Sequence, residues 1–325
     1  MEKVQPSVRA SIVRRAIRFE EFGVLSALLM IAVFLALTTE QFMYPNNLLN
    51  VARQASYWGI MAVGLVFVIS QGDIDISVGA MFNFSTIAMA FALQQGLSHN
   101  LVIPFGLLIG LTMGFINGSL MLLLRIPAII VTLGTMAIYR GLSLVVSNAT
   151  TIASFPKDNW FFQGMGGRLF DSIPASVVIM VLVGIGGYIL YNHSVFGRHV
   201  CAVGANRQAA QYAGIKVNQV RLLTMMLSGV ICSIAGIAVL SFLGAADPSV
   251  GAGSEIMVIS AAIIGGASLS GGSGSVLGAV IGALIIAVIR NGLVLLNISI
   301  YWQGVVTGAT IIAAVALDYV IKRRR

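Results

Sequence analysis

The sequence predicts an all-α membrane protein of about ten transmembrane helices, and three observations carry that prediction. Apolar residues fill 58% of the 325 positions and charged residues only 9%, against about a quarter charged in a soluble domain. With a mean hydropathy of +0.96, the chain has too little charge to cover a globule in water. The apolar stretches also run unbroken for roughly 17–25 residues, the length of a spanning helix, rather than alternating with period two as barrel strands do. Finally, the net charge of +8 is concentrated in three blocks: Lys3, Arg9, Arg14, Arg15 and Arg18; Arg198, Arg207, Lys216 and Arg221; and Lys322 to Arg325. Basic residues flanking spans mark the cytoplasmic side. The blocks are therefore read as topology and not as a nucleic-acid surface.

Taken in order, the spans are expected at 22–38, 51–70, 78–95, 101–124, 128–147, 174–192, 221–243, 255–269, 275–295 and 303–321. The first follows basic residues, as a signal peptide would. However, Thr38-Thr39-Glu40-Gln41 offers no small-x-small cleavage site, so it is read as a retained span. An even number of spans puts the 1–21 and 322–325 tails on one side, and both are basic, hence cytoplasmic. The 193–220 loop follows the sixth span and returns to that side with its own basic block. The 148–173 segment then lies outside, with Lys157, Asp158, Arg168 and Asp171 in balance. The whole of 1–325 reads as one transmembrane domain.

Two stretches interrupt the apolar pattern with glycine and polar residues, 71–80 and 265–275. Gly-interrupted segments in corresponding places point to a transport pathway, although ordinary tight turns would read the same way. An internal repeat is also visible. Asn117-Gly118 and Asn291-Gly292 are each followed at equal spacing by a glycine, Gly134 and Gly308, and at the same offset Gly79 meets Gly253. Two copies of five spans each must be inverted relative to the membrane.

Familiar chemistries are missing. No Gly-Lys-Ser/Thr follows the glycines of 265–275, so no phosphate loop forms and ATP hydrolysis by this chain is not expected. Gly106, Gly110 and Gly114, like Gly278 and Gly282, fit close helix packing instead. Gly271-Gly272-Ser273-Gly274 resembles a nucleophile turn, but His99, His193 and His199 all fall in expected loops, leaving a serine without a base inside the membrane. Cys201 and Cys232 with these histidines give no metal-ligand spacing. Catalytic residues and a metal site are therefore not expected.

Intramembrane ionisable residues are costly, about 2.5–3.5 kcal/mol on insertion scales, and so are functional candidates. Asp73, Asp75 and Glu255 are expected near span ends, where hydration or helix capping would also hold them; Asp75 before Ile76-Ser77-Val78 suits an N-cap region. Arg140 and Arg290 lie deeper, suiting structural pairing or an outer vestibule. Tyr57, Trp58, Phe82, Phe84, Tyr139, Phe242, Tyr301 and Trp302 fit either an interfacial aromatic belt or a cavity lining.

Three long motifs carry a resemblance. Gly72-Asp73-Ile74-Asp75-Ile76-Ser77-Val78-Gly79 is similar to the G-I-D-L-S-V-G signature of permease subunits in the ribose-type group of bacterial ABC sugar importers. Phe196 to Val217 resembles that family's G-R-x-x-x-A-x-G-G-N-x-x-A-A-x-x-x-G-I-x-V loop, and Glu255 to Gly274 resembles its E-L-D-x-I-A-A-x-x-x-G-G-T-S-x-x-G-G-x-G run. The resemblance extends from about residue 40 to 320. Met257 stands where members usually carry an acid, and Arg290 where an asparagine is common, so no particular sugar is carried over.

The resemblance implies an ABC importer permease fold in the bacterial inner membrane. It implies a second permease subunit, identical or sister, two cytoplasmic ATPase subunits that hold the ATP and magnesium, and a periplasmic sugar-binding protein. The 196–217 loop would couple to the ATPase through Gly197, Arg198, Gly204, Asn206, Arg207, Ala209, Ala210 and Gly214. A simple sugar would pass by alternating access near Asp73, Asp75, Ser77, Phe82, Asn83, Asn117, Asn291 and Glu255. Asn117 and Asn291 could offer amide hydrogen bonds to hydroxyls or simply join helices. The reading from a different class is a stand-alone secondary transporter or channel, which would need ionisable residues along its path.

Overall fold

The computed structural model describes residues 21–153, 155, 158–169, 172–299, 302, 304–306, 308, 309 and 312. The expected tails, and most of the expected span 303–321, lie outside the described residues. The chain is built from helices α1 (Glu21–Thr38), α2 (Pro45–Ser70), α3 (Val78–Gln94), α4 (Val102–Leu124), α5 (Ala128–Ser147) and α6 (Ala175–His193). They are followed by two short helices, α7 (Val195–Ala205) and α8 (Arg207–Tyr212), then α9 (Val217–Leu243), α10 (Ser254–Ile264) and α11 (Val276–Leu295). A two-stranded ribbon, β1 (Arg168–Leu169) with β2 (Ile173–Pro174), closes the 148–173 segment.

Six of these helices are long and apolar enough to cross a membrane: α2, α4, α5, α6, α9 and α11. Burial separates centre from perimeter. The apolar windows of α2, α9 and α11 are 78%, 67% and 61% buried, whereas those of α4, α5 and α6 are only 33%, 28% and 28% buried. Leu123, Val145 and Leu182 are among the side chains that point outward from the perimeter helices, as a lipid-facing surface requires. The 193–220 loop marks one end of the bundle, called here the basic end.

The glycine stripe of α4 does what its spacing predicts. Gly106, Gly110 and Gly114 lie against Ser233, Gly229 and Met225 of α9, with no room for side chains between the backbones, and the Ser233 hydroxyl donates to the Gly106 carbonyl. Gly278 and Gly282 bring α11 equally close to Gly265 and Ala261. Van der Waals contact between backbones replaces the hydrophobic effect, which drives no association between helices in lipid.

Part of the packing is reciprocal, as two copies in inverted orientation would give. α2 packs on α11 while α9 packs on α4; α3 lies on α9 while α10 lies on α2; and α2 and α9 pair across the centre. Two expectations need correction here. The expected span 255–269 is an 11-residue helix that ends at Ile264, about 16 Å long at 1.5 Å per residue, half the ~30 Å hydrocarbon core. The expected span 51–70 is the longer helix, beginning at Pro45, whose ring suits a first helical position. Window hydropathy cannot separate helix from apolar loop, and that explains the first error.

Candidate functional site

Two of the helices begin inside the membrane, and their starts meet. α10 reaches the basic end at Ile264, so its first residues sit about 16 Å above that end. The start of α3 lies at a similar depth, because Ser77 accepts from the Asn117 amide at 2.8 Å, and Asn117 is two turns inside the basic end of α4. At the junction the Glu255 carboxylate faces Gly79: a Cβ on Gly79 would stand 2.6 Å from Oε2 and 3.0 Å from the Gly251 carbonyl. Only glycine allows that approach. The first-turn N–H groups of both helices favour a carboxylate there.

Glu255 is 7% exposed, and its Oε1 accepts from the Arg140 guanidinium of α5 at 2.7 Å. Its Oε2 has no hydrogen-bond partner among the described residues. Arg290, by contrast, stands over the Trp58 ring at 5.6 Å.

The 71–77 segment that climbs to α3 is not helical, so its backbone groups need other partners. The Ile76 N–H donates to the Thr132 hydroxyl of α5 at 3.2 Å. Asp75 is fully buried; its Oδ1 accepts from the Ser77 N–H at 2.9 Å and the Ser77 hydroxyl at 2.6 Å, and its Oδ2 lies 3.5 Å from the Ser228 hydroxyl. The expected capping role of Asp75 is thereby corrected: Ser77 occupies the cap position, without a side-chain cap bond, and Asp75 folds the approach to it. Asp73, Asp75 and Glu255 are all buried within the described chain, Asp73 beside an open cavity. From Ser77 the polar contacts continue through Asn117 to the Tyr139 hydroxyl of α5, which donates to the Asn117 side-chain oxygen at 3.1 Å.

At the basic end lies a second cluster, around Asp73. The Arg221 guanidinium of α9 donates to both carboxylate oxygens at 2.9 Å, a bidentate geometry that fixes direction as well as distance. Arg207, the first residue of α8, reaches Asp73 Oδ1 at 2.8 Å and the Gly72 carbonyl at 3.2 Å. The arginines border a cavity of about 680 Å³, together with Gly72, Arg125 and Asn218.

The expected 193–220 loop is shortened to 194–216, because α9 begins at Val217 and not at 221, and it folds as a helical hairpin. Ser194 caps α7 by accepting from the Gly197 N–H, and Asn206 caps α8 by accepting from the Ala209 N–H, both at 3.0 Å. Gly197 is buried against the Tyr191 carbonyl, and the half-buried Gly204 lies against the Ser70 carbonyl and Gly272. The Gly272 N–H donates to that same Ser70 carbonyl at 2.8 Å. Gly204 is thus the point where the hairpin, the end of α2 and the 265–275 turn converge, and a side chain there would part them. Ala210 is buried, Arg198 and Ala209 are exposed, and Gly214 turns the chain at φ +83. Tyr212, the last residue of α8, is 90% exposed.

The eight residues expected along a passage are not gathered into one wall. Asp73 belongs with the hairpin. Asp75, Ser77 and Asn117 form one polar group. Phe82 is buried, and the Asn83 amide donates to the Asp247 carbonyl at 3.0 Å. Asn291 exchanges amide hydrogen bonds with Asn47 at 2.7 and 3.0 Å, near the opposite end of the bundle. Both asparagines act between helices. The residues that sequence reasoning passed over are Thr132 and Ser228, ordinary hydroxyls inside apolar runs. Arg221 was noted only for its charge.

Comparison with known proteins places this architecture. The family model for the permease component of the branched-chain amino acid transport system matches residues 47–315. The chain is 37% identical over 299 residues to the ribose import permease protein of Bacillus subtilis, covering 92% of each chain. It is also 37% identical over 312 residues to the D-allose transport system permease protein of Escherichia coli, covering 95% of this chain and 94% of that one. The xylose transport system permease protein of Escherichia coli is 30% identical over 370 aligned residues, with 95% and 94% covered. Among solved structures, a chain described as a metal-chelate type ABC transporter in an inward-facing conformation aligns with a TM-score of 0.50 at 14% identity, over 94% of this chain and 99% of that one; the likeness is one of fold alone. With two helices that start at mid-membrane depth and an ordered basic hairpin between α6 and α9, the chain belongs to the family of ABC transporter permease components.

Proposed function

We propose that this chain is the translocation subunit of an ATP-driven importer that carries a simple sugar into the cytoplasm. One observation carries the reading: the 195–212 hairpin is a capped, basic element packed against α2, α6 and α9, with an exposed aromatic at the end of α8. Such an element suits a motor that pushes from outside the membrane. The ribose, allose and xylose permeases at 30–37% identity support a monosaccharide as cargo.

On this reading the chain lies in the bacterial inner membrane with both termini in the cytoplasm. It pairs with a second permease subunit, docks two ATPase subunits on the hairpins, and receives sugar from a periplasmic binding protein. ATP and magnesium are bound by the ATPase, and this chain supplies no catalytic group. Nucleotide binding closes the ATPase pair, the hairpins move with it, and the helix bundle exchanges its outward opening for an inward one. Small and polar residues near 72–85, 114–118 and 247–255 give way along the route. Selectivity resides largely in the binding protein, since Asp73, Asp75, Ser77, Asn117 and Asn291 are already engaged with groups of this chain.

Reconstitution tests the reading. Proteoliposomes holding this chain, its ATPase and its binding protein should accumulate ribose, allose or xylose only with ATP, and ATPase activity should rise with sugar-loaded binding protein. Equal uptake by liposomes holding this chain alone would replace the reading with that of a stand-alone carrier or channel.

A further inference from the structure

We propose that Asp73 is a positioning residue for coupling, the joint through which movement of the 195–212 hairpin reaches the mid-membrane start of α3. The inference rests on the importer reading and deepens it.

The geometry separates a fixed side from a releasable side. Arg221 is only 13% exposed and holds the carboxylate bidentately to α9. Arg207 is 44% exposed, sits on the six-residue α8, and borders the open cavity. An exposed guanidinium exchanges its partner for water at little cost, whereas a buried one does not. Arg207 therefore tethers the hairpin to Asp73 without locking it.

What Asp73 moves is the segment 71–77. Its Gly72 carbonyl is held by the same Arg207. Four residues beyond Asp73, Ser77 opens α3 and is bound to Asp75 and Asn117. Asn117 in turn accepts from Tyr139, next to the Arg140 that pairs with Glu255. Polar contacts, continued by the backbone from Asp73 to Asp75 and from Tyr139 to Arg140, thus run from the hairpin to the junction of α3 and α10. The segment is non-helical, tied to the hairpin at Asp73 and to Asp75 and Asn117 at Ser77, so a shift at Asp73 is felt at the start of α3. Gly204 of α7 adds a steric stop: its backbone rests on the Ser70 carbonyl, so the hairpin cannot slide across this point without carrying the end of α2.

The test uses the complete transporter in proteoliposomes, with whichever of ribose, allose or xylose drives uptake by the unmodified complex. The readout is sugar imported per ATP hydrolysed. Asp73 is too buried to touch the ATPase, so Asp73→Asn should leave assembly intact and stimulated ATPase activity within about twofold, while the uptake ratio falls about tenfold or more. Arg207→Lys keeps a charge beside Asp73 and should retain at least about half the ratio. If Asp73→Asn does not assemble, Asp73→Glu retains both charges and displaces the carboxylate by one methylene, and the ratio should fall about threefold. An unchanged ratio in the variant that assembles, or uptake and ATPase activity declining in parallel, overturns the proposal. Absence of ATP-dependent uptake in the unmodified complex overturns the importer reading instead.

Discussion

Arg140 on α5 pairs with Glu255 on α10 at 2.7 Å, and the pair is asymmetric: the arginine side chain is 38% exposed and the glutamate 9%. The charge that burial threatens is the carboxylate. Glu255 lies at the joined starts of two helices and has one oxygen without a hydrogen-bond partner, so Arg140 is its principal compensation.

Removing Arg140 should therefore cost more than removing both charges. Breaking a fully buried pair costs about 3–5 kcal/mol, and the exposure of Arg140 reduces this to about 1–2 kcal/mol. Arg140→Gln should lower the melting temperature of the purified chain in detergent. The double variant with Glu255→Gln should recover part of the loss. A double variant less stable than Arg140→Gln would show that the pair is not the source of the effect.

Gly79 gives a steric prediction. A methyl group there meets Glu255 Oε2 at 2.6 Å and the Gly251 carbonyl at 3.0 Å, so Gly79→Ala should destabilise the chain by about 1–3 kcal/mol, the usual cost of overpacking. Gly134 has open space around its Cβ position, and Gly134→Ala should be neutral or stabilising by up to about 1 kcal/mol through helix propensity. Thermal melts of the two variants decide the matter.

Asp247, in the loop between α9 and α10, predicts acid sensitivity. Hydrogen bonds from the Ser249 hydroxyl, the Thr151 hydroxyl and the Ser249 N–H hold its carboxyl below the usual carboxylate range. A depressed folded-state pKa stabilises the loop above the unfolded value of about 3.9, and the contribution fades as pH falls through the folded one. Hydrogen exchange at Ala246, whose N–H donates to the Ile152 carbonyl at 2.8 Å, should accelerate beyond its intrinsic pH trend below about pH 4. Asp247→Asn should remove that pH dependence.

Tyr212 separates docking from folding. Its 90% exposure means that Tyr212→Ala removes almost no packing within this chain, so the melting temperature should hold. Buried aromatic anchors dominate interfaces, and affinity for the ATPase should fall about tenfold or more, measured by binding of the purified ATPase to immobilised permease. Unchanged affinity would remove the end of α8 from the docking surface.

Much of the fold was legible because lipid imposes simple rules. Apolar length placed α2, α4, α5, α6, α9 and α11, and the glycine spacing in α4 anticipated its backbone contact with α9. The half-length α10 was not legible, since the 265–275 turn contributes apolar residues and a window average hides the change from helix to loop. The site was legible only in fragments. Asp73 and Arg221 lie 148 positions apart, and Asn117 and Ser77 lie 40 apart; spacing along the chain holds no information about such pairs. Hydroxyls such as Thr132 have a role only because 71–77 is unwound, a fact of tertiary structure.

The shortness of α10 also decides what surrounds the molecule. Since α10 occupies only the half of the bilayer toward the basic end, the other half of that column is filled by the irregular chain of 244–253, with Ser249 and Ala252 on its surface. Lipid tails offer no partners to peptide groups, and irregular backbone survives at such depth only against protein or water. The same flank carries the half-exposed guanidinium of Arg140, which acyl chains would equally repel. One side of this helical bundle is therefore not a lipid surface at all, and in the membrane it must border a wet vestibule or another subunit.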